Sequence, residues 1–122
     1  MKVAITAGGK NLDSMVDRSF GRAKWFVITD QDGGCVEALE NSQNVNAAQG
    51  AGIQAAQHIA NKSVDVLLTG NVGPNAFRAL EAASIQVFQF GKDIQTVRDA
   101  LTAWKEGRLP QLQAPTAKGD GF

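Results

Sequence analysis

Apolar residues along the chain fall into short runs and helically spaced stripes, which predict alternating strands and helices. The runs predict strands at residues 2–7, 24–29, 35–39, 64–69 and 84–90. The stripes predict a helix at residues 48–60, a second beginning at Pro74, and a third that is capped by Asp93 and ended by Gly107. The turn-forming sequence at residues 30–34 joins the second and third strands, so these two are expected to form a hairpin.

The order of these elements, βββαβαβα, predicts an α/β fold. Strands that alternate with helices after residue 48 favour right-handed crossovers and a parallel core, and the early hairpin adds antiparallel pairing at one side. We therefore expect residues 1–109 to form one domain, a mixed five-stranded sheet with flanking helices. Residues 110–122 contain proline and glycine with little periodicity, which predicts a flexible C-terminal tail.

The composition excludes several classes of function. The 122 residues include one cysteine and one histidine, too few for an internal disulfide or for the several thiolates that usually hold an iron–sulfur cluster. Twelve basic residues balance twelve acidic ones, so no global field attracts nucleic acid or an anionic membrane. No apolar run is long enough for a membrane helix, and the start does not fit a signal peptide, so a cytoplasmic location is expected.

A set of spaced motifs occurs in one order along the chain. They are Met1-Lys2-Val3-Ala4-Ile5, Leu12-Asp13-Ser14, Val16-Asp17, Phe20-Gly21-Arg22-Ala23, Gln49-Gly50-Ala51-Gly52, Val64-Asp65-Val66-Leu67-Leu68-Thr69-Gly70 and Gly73-Pro74-Asn75-Ala76-Phe77. Together they resemble the dinitrogenase iron-molybdenum cofactor biosynthesis family over roughly residues 1–109. That family includes nitrogenase accessory factors and proteins that hold a molybdenum-copper sulfide cluster without covalent attachment.

The resemblance implies a ribonuclease H-like fold. It also implies a non-catalytic role, in which the protein binds or carries a preformed anionic metal-sulfide cluster of the molybdenum-copper or iron-molybdenum type. Such a cluster would be held largely non-covalently, and a second protein would donate or accept it.

Small and polar residues gather where predicted strands end and helices begin, at the edge where open α/β sheets usually bind ligands. The candidate set comprises Gly50, Gly52, Gly70, Asn71, Gly73 and Asn75. Glycine lets the backbone approach a bound group closely, and amides at a helix start favour an anion. Arg18, Arg22 and Lys24 lie within seven residues and supply positive charge, and strand alternation predicts Arg22 and Lys24 on one face. We predict no catalytic residue and no metal-ligating side chain.

The lone cysteine and histidine have simpler expected roles. Cys35 begins a predicted hairpin strand, where a free cysteine usually behaves as a small buried apolar residue. His58 falls on the polar face of the predicted helix at residues 48–60, where a solvated surface histidine is expected.

Other functions compete with cluster carriage. The same glycines and helix starts would accept phosphate oxygens, so a phosphate- or nucleotide-binding module is an alternative, although neither usual phosphate-loop motif is present. A protein-interaction domain without a cluster is another alternative. A nuclease is disfavoured, because two-metal chemistry needs converging carboxylates and the first predicted strand has none.

Overall fold

The computed structural model of the protein describes residues 1–41 and 51–116. Its strands are β1 (Lys2–Ala7), β2 (Trp25–Asp30), β3 (Glu37–Glu40), β4 (Val66–Thr69) and β5 (Gln86–Gln89). Its helices are α1 (Ala51–Asn61), α2 (Pro74–Ala82) and α3 (Val97–Lys105). This order matches the predicted βββαβαβα arrangement.

The strands form one five-stranded sheet in the order β3-β2-β1-β4-β5. β1 pairs with β2, and β2 with β3, in antiparallel fashion, whereas β1, β4 and β5 are parallel. The predicted α/β fold, with its parallel core and antiparallel hairpin at one side, is confirmed. Because the apolar runs of the central strands are buried on both faces, helices cover the sheet on both sides.

Two apolar layers fill the space between the sheet and its helices. On one face, α1 and α2 pack against the sheet through side chains that include Ala56, Ile59, Phe77 and Leu80. On the other face, α3 packs through Val97, Ala100, Leu101 and Ala103. The sheet therefore separates the two cores.

Two local predictions are wrong. α3 begins at Val97, and its cap is Thr96, not Asp93: the Thr96 side chain accepts from the Asp99 amide while the Asp99 carboxylate accepts from the Thr96 amide. This reciprocal capping box satisfies two amides at once. Cys35 is not buried but exposed, and it lies before β3 with a left-handed φ of 52°.

The C-terminal segment returns to the sheet. The boundary predicted at residue 109 stays a prediction, but residues 110–116 make contacts that the sequence did not predict. The Gln89 amide donates to the Pro110 carbonyl at 3.0 Å, and the Leu112 amide donates to the Val87 carbonyl at 2.8 Å. Gln111 forms an antiparallel bridge with Phe88, so this segment runs along the outer side of β5.

Candidate functional site

The carboxyl ends of the parallel strands and the N-termini of the helices lie at the same edge of the sheet. β1, β4 and β5 end at this edge, which we call the carboxyl edge, because they are parallel. The helices run the opposite way: the Lys2 ammonium at the start of β1 bonds the Lys62 carbonyl just after α1, and Lys105 at the end of α3 pairs with Asp32 beyond β2. All three described helices therefore begin at the carboxyl edge.

The segment at residues 17–20 crosses this edge and joins the turn that follows β4. The Phe20 amide donates to the Asn71 carbonyl at 3.1 Å, and the Asn71 amide donates to the Arg18 carbonyl at 2.6 Å. Beneath the segment, the hydroxyl oxygens of Thr6, near the end of β1, and of Thr69, at the end of β4, lie 3.0 Å apart. The structure thus brings two parts of the predicted site, around residues 18 and 71, into direct contact.

Gly70 is required for this contact. A Cβ atom at Gly70 would lie 2.8 Å from both the Arg18 Cβ and the Arg18 carbonyl oxygen, and 2.9 Å from its Cα. Real Cβ atoms do not come so close to backbone, so only glycine fits at this position. The close approach that the sequence predicted for a ligand is used here by the protein's own backbone.

The Arg18 guanidinium points toward the end of β5. It donates to the carbonyls of Gly91 at 2.8 Å, and of Lys92 and Ile94 at 3.3 Å each. Its Cζ atom also lies 5.8 Å from the centre of the Phe90 ring, within the range of a cation–π contact. Arg18 therefore fastens the segment at residues 17–20 to the chain beyond β5.

Arg22 and Lys24 are exposed at the same edge. Both precede β2, so the prediction that strand alternation puts them on one face does not apply. Gly52 is buried in the first turn of α1, which begins at the carboxyl edge, and Gly50 lies outside the described residues.

The start of α2 carries the other predicted residues. Gly73 is the N-cap, with an extended backbone (φ −76°, ψ 169°), and it offers no side chain to the first amides. Pro74 follows and has no amide hydrogen. Asn75 is exposed at the second helical position, and its Oδ1 accepts from the Arg78 guanidinium at 3.3 Å. The amides of the first turn therefore face the carboxyl edge without a capping side chain.

The start of α3 is closed by protein atoms. The Val97 amide donates to the Ser14 carbonyl at 2.9 Å, and the Arg98 amide donates to the Leu12 carbonyl at 2.7 Å. The Asp99 amide donates to the Thr96 hydroxyl at 3.1 Å. No amide among these first three is left for a ligand.

Sequence reasoning missed two features of the site. The Ser19 hydroxyl is buried beside Asn71 and has no hydrogen-bond partner among the described residues. The Lys10 ammonium lies 4.9 Å from the centre of the Trp25 ring, at the start of β2. Lys10 lies in a stretch without a strand or helix pattern, and the pairing of Trp25 with Ala7 places it at the carboxyl edge.

Two carboxylates at the opposite edge accept hydrogen bonds from the protein itself. Backbone amides of Gly34 and Asp32 lower the pKa of the Asp30 carboxyl, and a hydrogen bond from Lys62 lowers the pKa of Glu37. His58 is partly buried rather than fully solvated, and its Nδ1 has no partner among the residues described. In residues 1–41 and 51–116, no three His, Cys, Asp or Glu side chains converge so that they could hold a metal ion.

Comparison with known proteins identifies the family. Residues 1–107 match the family model described as dinitrogenase iron-molybdenum cofactor. The chain belongs to this family. Within the described residues, no helix has both the length and the apolar composition that crossing a bilayer requires.

Solved structures agree with this assignment. The chain is 42% identical to the orange protein of Desulfovibrio gigas, solved in its apo form, with a TM-score of 0.88 over 95% of this chain and 96% of that one. It is also 42% identical to a Thermotoga protein described as a putative NifB protein, with a TM-score of 0.82 over 97% and 98% of the two chains. An uncharacterized protein of Methanocaldococcus jannaschii is 25% identical over 115 residues, 93% of this chain and 92% of that one.

Proposed function

We propose that this protein binds and carries a preformed, anionic metal-sulfide cluster of the molybdenum-copper or iron-molybdenum type. The observation that carries the proposal is the α2 start, where the first-turn amides have no capping side chain and face the carboxyl edge. Membership of the iron-molybdenum cofactor family and likeness to the orange protein support a cluster as the guest.

Main-chain groups and hydroxyls are the proposed hydrogen-bond donors. The amides of Asn75 and Ala76 carry the partial positive charge of a helix start, which favours an anion. The Ser19 hydroxyl lies beside Asn71 and supplies another donor that the described protein does not use. A sulfide cluster spreads its charge over many atoms, so several weak donors suit it better than one strong ligand.

Cationic side chains at the carboxyl edge supply charge complementarity. Arg22 and Lys24 are exposed between the segment at residues 17–20 and β2. Lys10 extends the same positive surface, because it stacks on Trp25 at the start of β2. Arg18 and Gly70 act indirectly, since their contacts with each other and with the chain after β5 fix the shape of the site.

The proposed role is transport without catalysis. The guest is neither oxidised nor reduced, and no protein side chain coordinates its metal ions. An exposed edge suits a cluster that one protein delivers and another removes, so we expect a donor or acceptor protein to approach this edge.

Reconstitution tests the proposal. The protein is mixed without oxygen with thiomolybdate and copper, or with isolated iron-molybdenum cofactor, and is then passed through gel filtration. We expect visible colour and metal to elute with the protein. If both guests separate from the protein at moderate salt, the proposal is wrong, and heat on titration with nucleotides would then favour the phosphate-binding alternative.

A double variant identifies the edge that binds. Arg22→Ala with Lys24→Ala removes two cations of the carboxyl edge, and we expect it to weaken guest binding about tenfold at low salt and less at high salt. Lys105→Ala with Arg108→Ala is the matched control, because it removes two cations near the end of α3. Equal losses from the two pairs would show that the guest responds only to net charge.

A further inference from the structure

Thr116 touches the turn that leads into α2. Its hydroxyl oxygen accepts from the Val72 amide at 2.8 Å, and its own amide donates to the Val72 carbonyl at 2.9 Å. These two bonds occupy both backbone polar groups of Val72. The two residues are 44 positions apart, so the contact is tertiary and not part of a local turn.

We propose that Thr116 is a positioning residue for the guest site, an inference that rests on the proposed function. Val72 lies between Asn71, which bonds the segment at residues 17–20, and Gly73, the cap of α2. The turn is already bonded at Asn71 to the segment at residues 17–20. The additional bonds of Thr116 to Val72 therefore fix the direction in which the α2 amides point. The Val72 amide itself is taken by Thr116 and is not a donor to the guest.

The residues before Thr116 are themselves fixed against the core, which restrains the position of Thr116. Leu112 packs against the apolar layer beneath α1 and α2, and its amide bonds the Val87 carbonyl. The Val72 side chain is fully buried in the same layer. Thr116 thus connects two parts of the molecule that are each fixed by their own contacts, which limits movement of the turn between them.

A hydroxyl series separates positioning from simple structure. Thr116→Val keeps the shape of the side chain and removes the acceptor, whereas Thr116→Ser keeps the hydroxyl. We expect Thr116→Val to speed hydrogen exchange at the Val72 amide by roughly 3- to 10-fold, as the loss of one hydrogen bond predicts. Retention of thiomolybdate and copper should weaken by a similar factor, and Thr116→Ser should restore both properties. Thr102→Val, on the exposed side of α3, is the matched control.

Each outcome has a distinct meaning. Unchanged exchange at Val72 in Thr116→Val would overturn the contact itself. Faster exchange with wild-type guest retention would overturn the positioning role and leave the proposed function intact. A wild-type protein that retains no guest would overturn the proposed function and the positioning role together, while the exchange data would still report the contact.

Discussion

Two helices, α2 and α3, begin at the same edge of the sheet. The backbone amides of their first turns differ in their hydrogen-bond partners. At the start of α3, a capping box and two loop carbonyls take the amides of residues 97–99. At the start of α2, glycine and proline offer no side-chain acceptor. Both helices have the same dipole direction, so the dipole alone does not make a site. What distinguishes α2 is that no capping side chain accepts a hydrogen bond from its first amides.

The largest effect is expected where the chain crosses to the α2 start. Gly70→Val would place side-chain atoms against the Arg18 backbone, and overpacking of this kind costs about 2–3 kcal/mol of unfolding free energy. Urea unfolding measures the loss. Gly8→Ala is the control, since among the described residues its Cβ would meet just the Met15 carbonyl, at 3.9 Å. Equal stability of the two variants would mean that the close contact at Gly70 is not required.

A charge at α2 should affect binding and stability in opposite directions. Asn75→Asp places an anion at the second helical position, which stabilises the helix by about 0.3–1 kcal/mol. The same charge repels an anionic guest, and we expect about tenfold weaker retention of thiomolybdate and copper. Gln95→Glu adds an equal charge just before the cap of α3. If both variants weaken retention equally, α2 is not the preferred helix start.

A change at the start of α3 should lower the stability of the protein without weakening guest retention. Thr96→Ala removes one half of the capping box, which is expected to cost about 1 kcal/mol of unfolding free energy. Guest retention should not change, because α3 offers no amide to the guest. Thermal unfolding and gel filtration of the reconstituted protein measure the two quantities. A large loss of retention in this variant would place the guest at α3.

The smallest effect is expected at Ser19. Ser19→Ala removes a buried hydroxyl that bonds nothing in the described part of the chain, so stability should change little. We expect about threefold weaker guest retention, the lower range for one neutral hydrogen bond. Ser14→Ala tests a hydroxyl whose partners, Asn11 among them, lie in the loop before residue 17. A Ser19 variant that binds as wild type would remove this hydroxyl from the site.

The sequence predicted the strands and helices well because each carries a clear local pattern. β4 is a continuous apolar run, and α2 begins at a proline. The partners of single residues depended on distant chain. Arg18 bonds a carbonyl 73 residues away, and the space that Gly70 leaves is filled by backbone 52 positions earlier in the chain. Neither partner has a local signal, so the sequence did not predict these two internal contacts.

The C-terminal segment shows the same limit. Two prolines and weak periodicity between residues 110 and 116 predicted a lack of structure. Hydrogen bonds to β5 and the packing of Leu112 hold this stretch in place. Such pairing depends on the exposed side of a strand formed more than 20 residues earlier, which the local composition does not reveal.

The same segment has a consequence for how molecules meet one another. An edge strand with unpaired backbone groups can pair with a strand of another molecule, which leads to aggregation. Here the β5 border is sheltered by the molecule's own C-terminal stretch, and the β3 border bears the acidic side chains of Glu37 and Glu40. Among the described residues, the outer side of β5 is therefore not free to pair with a strand of another molecule.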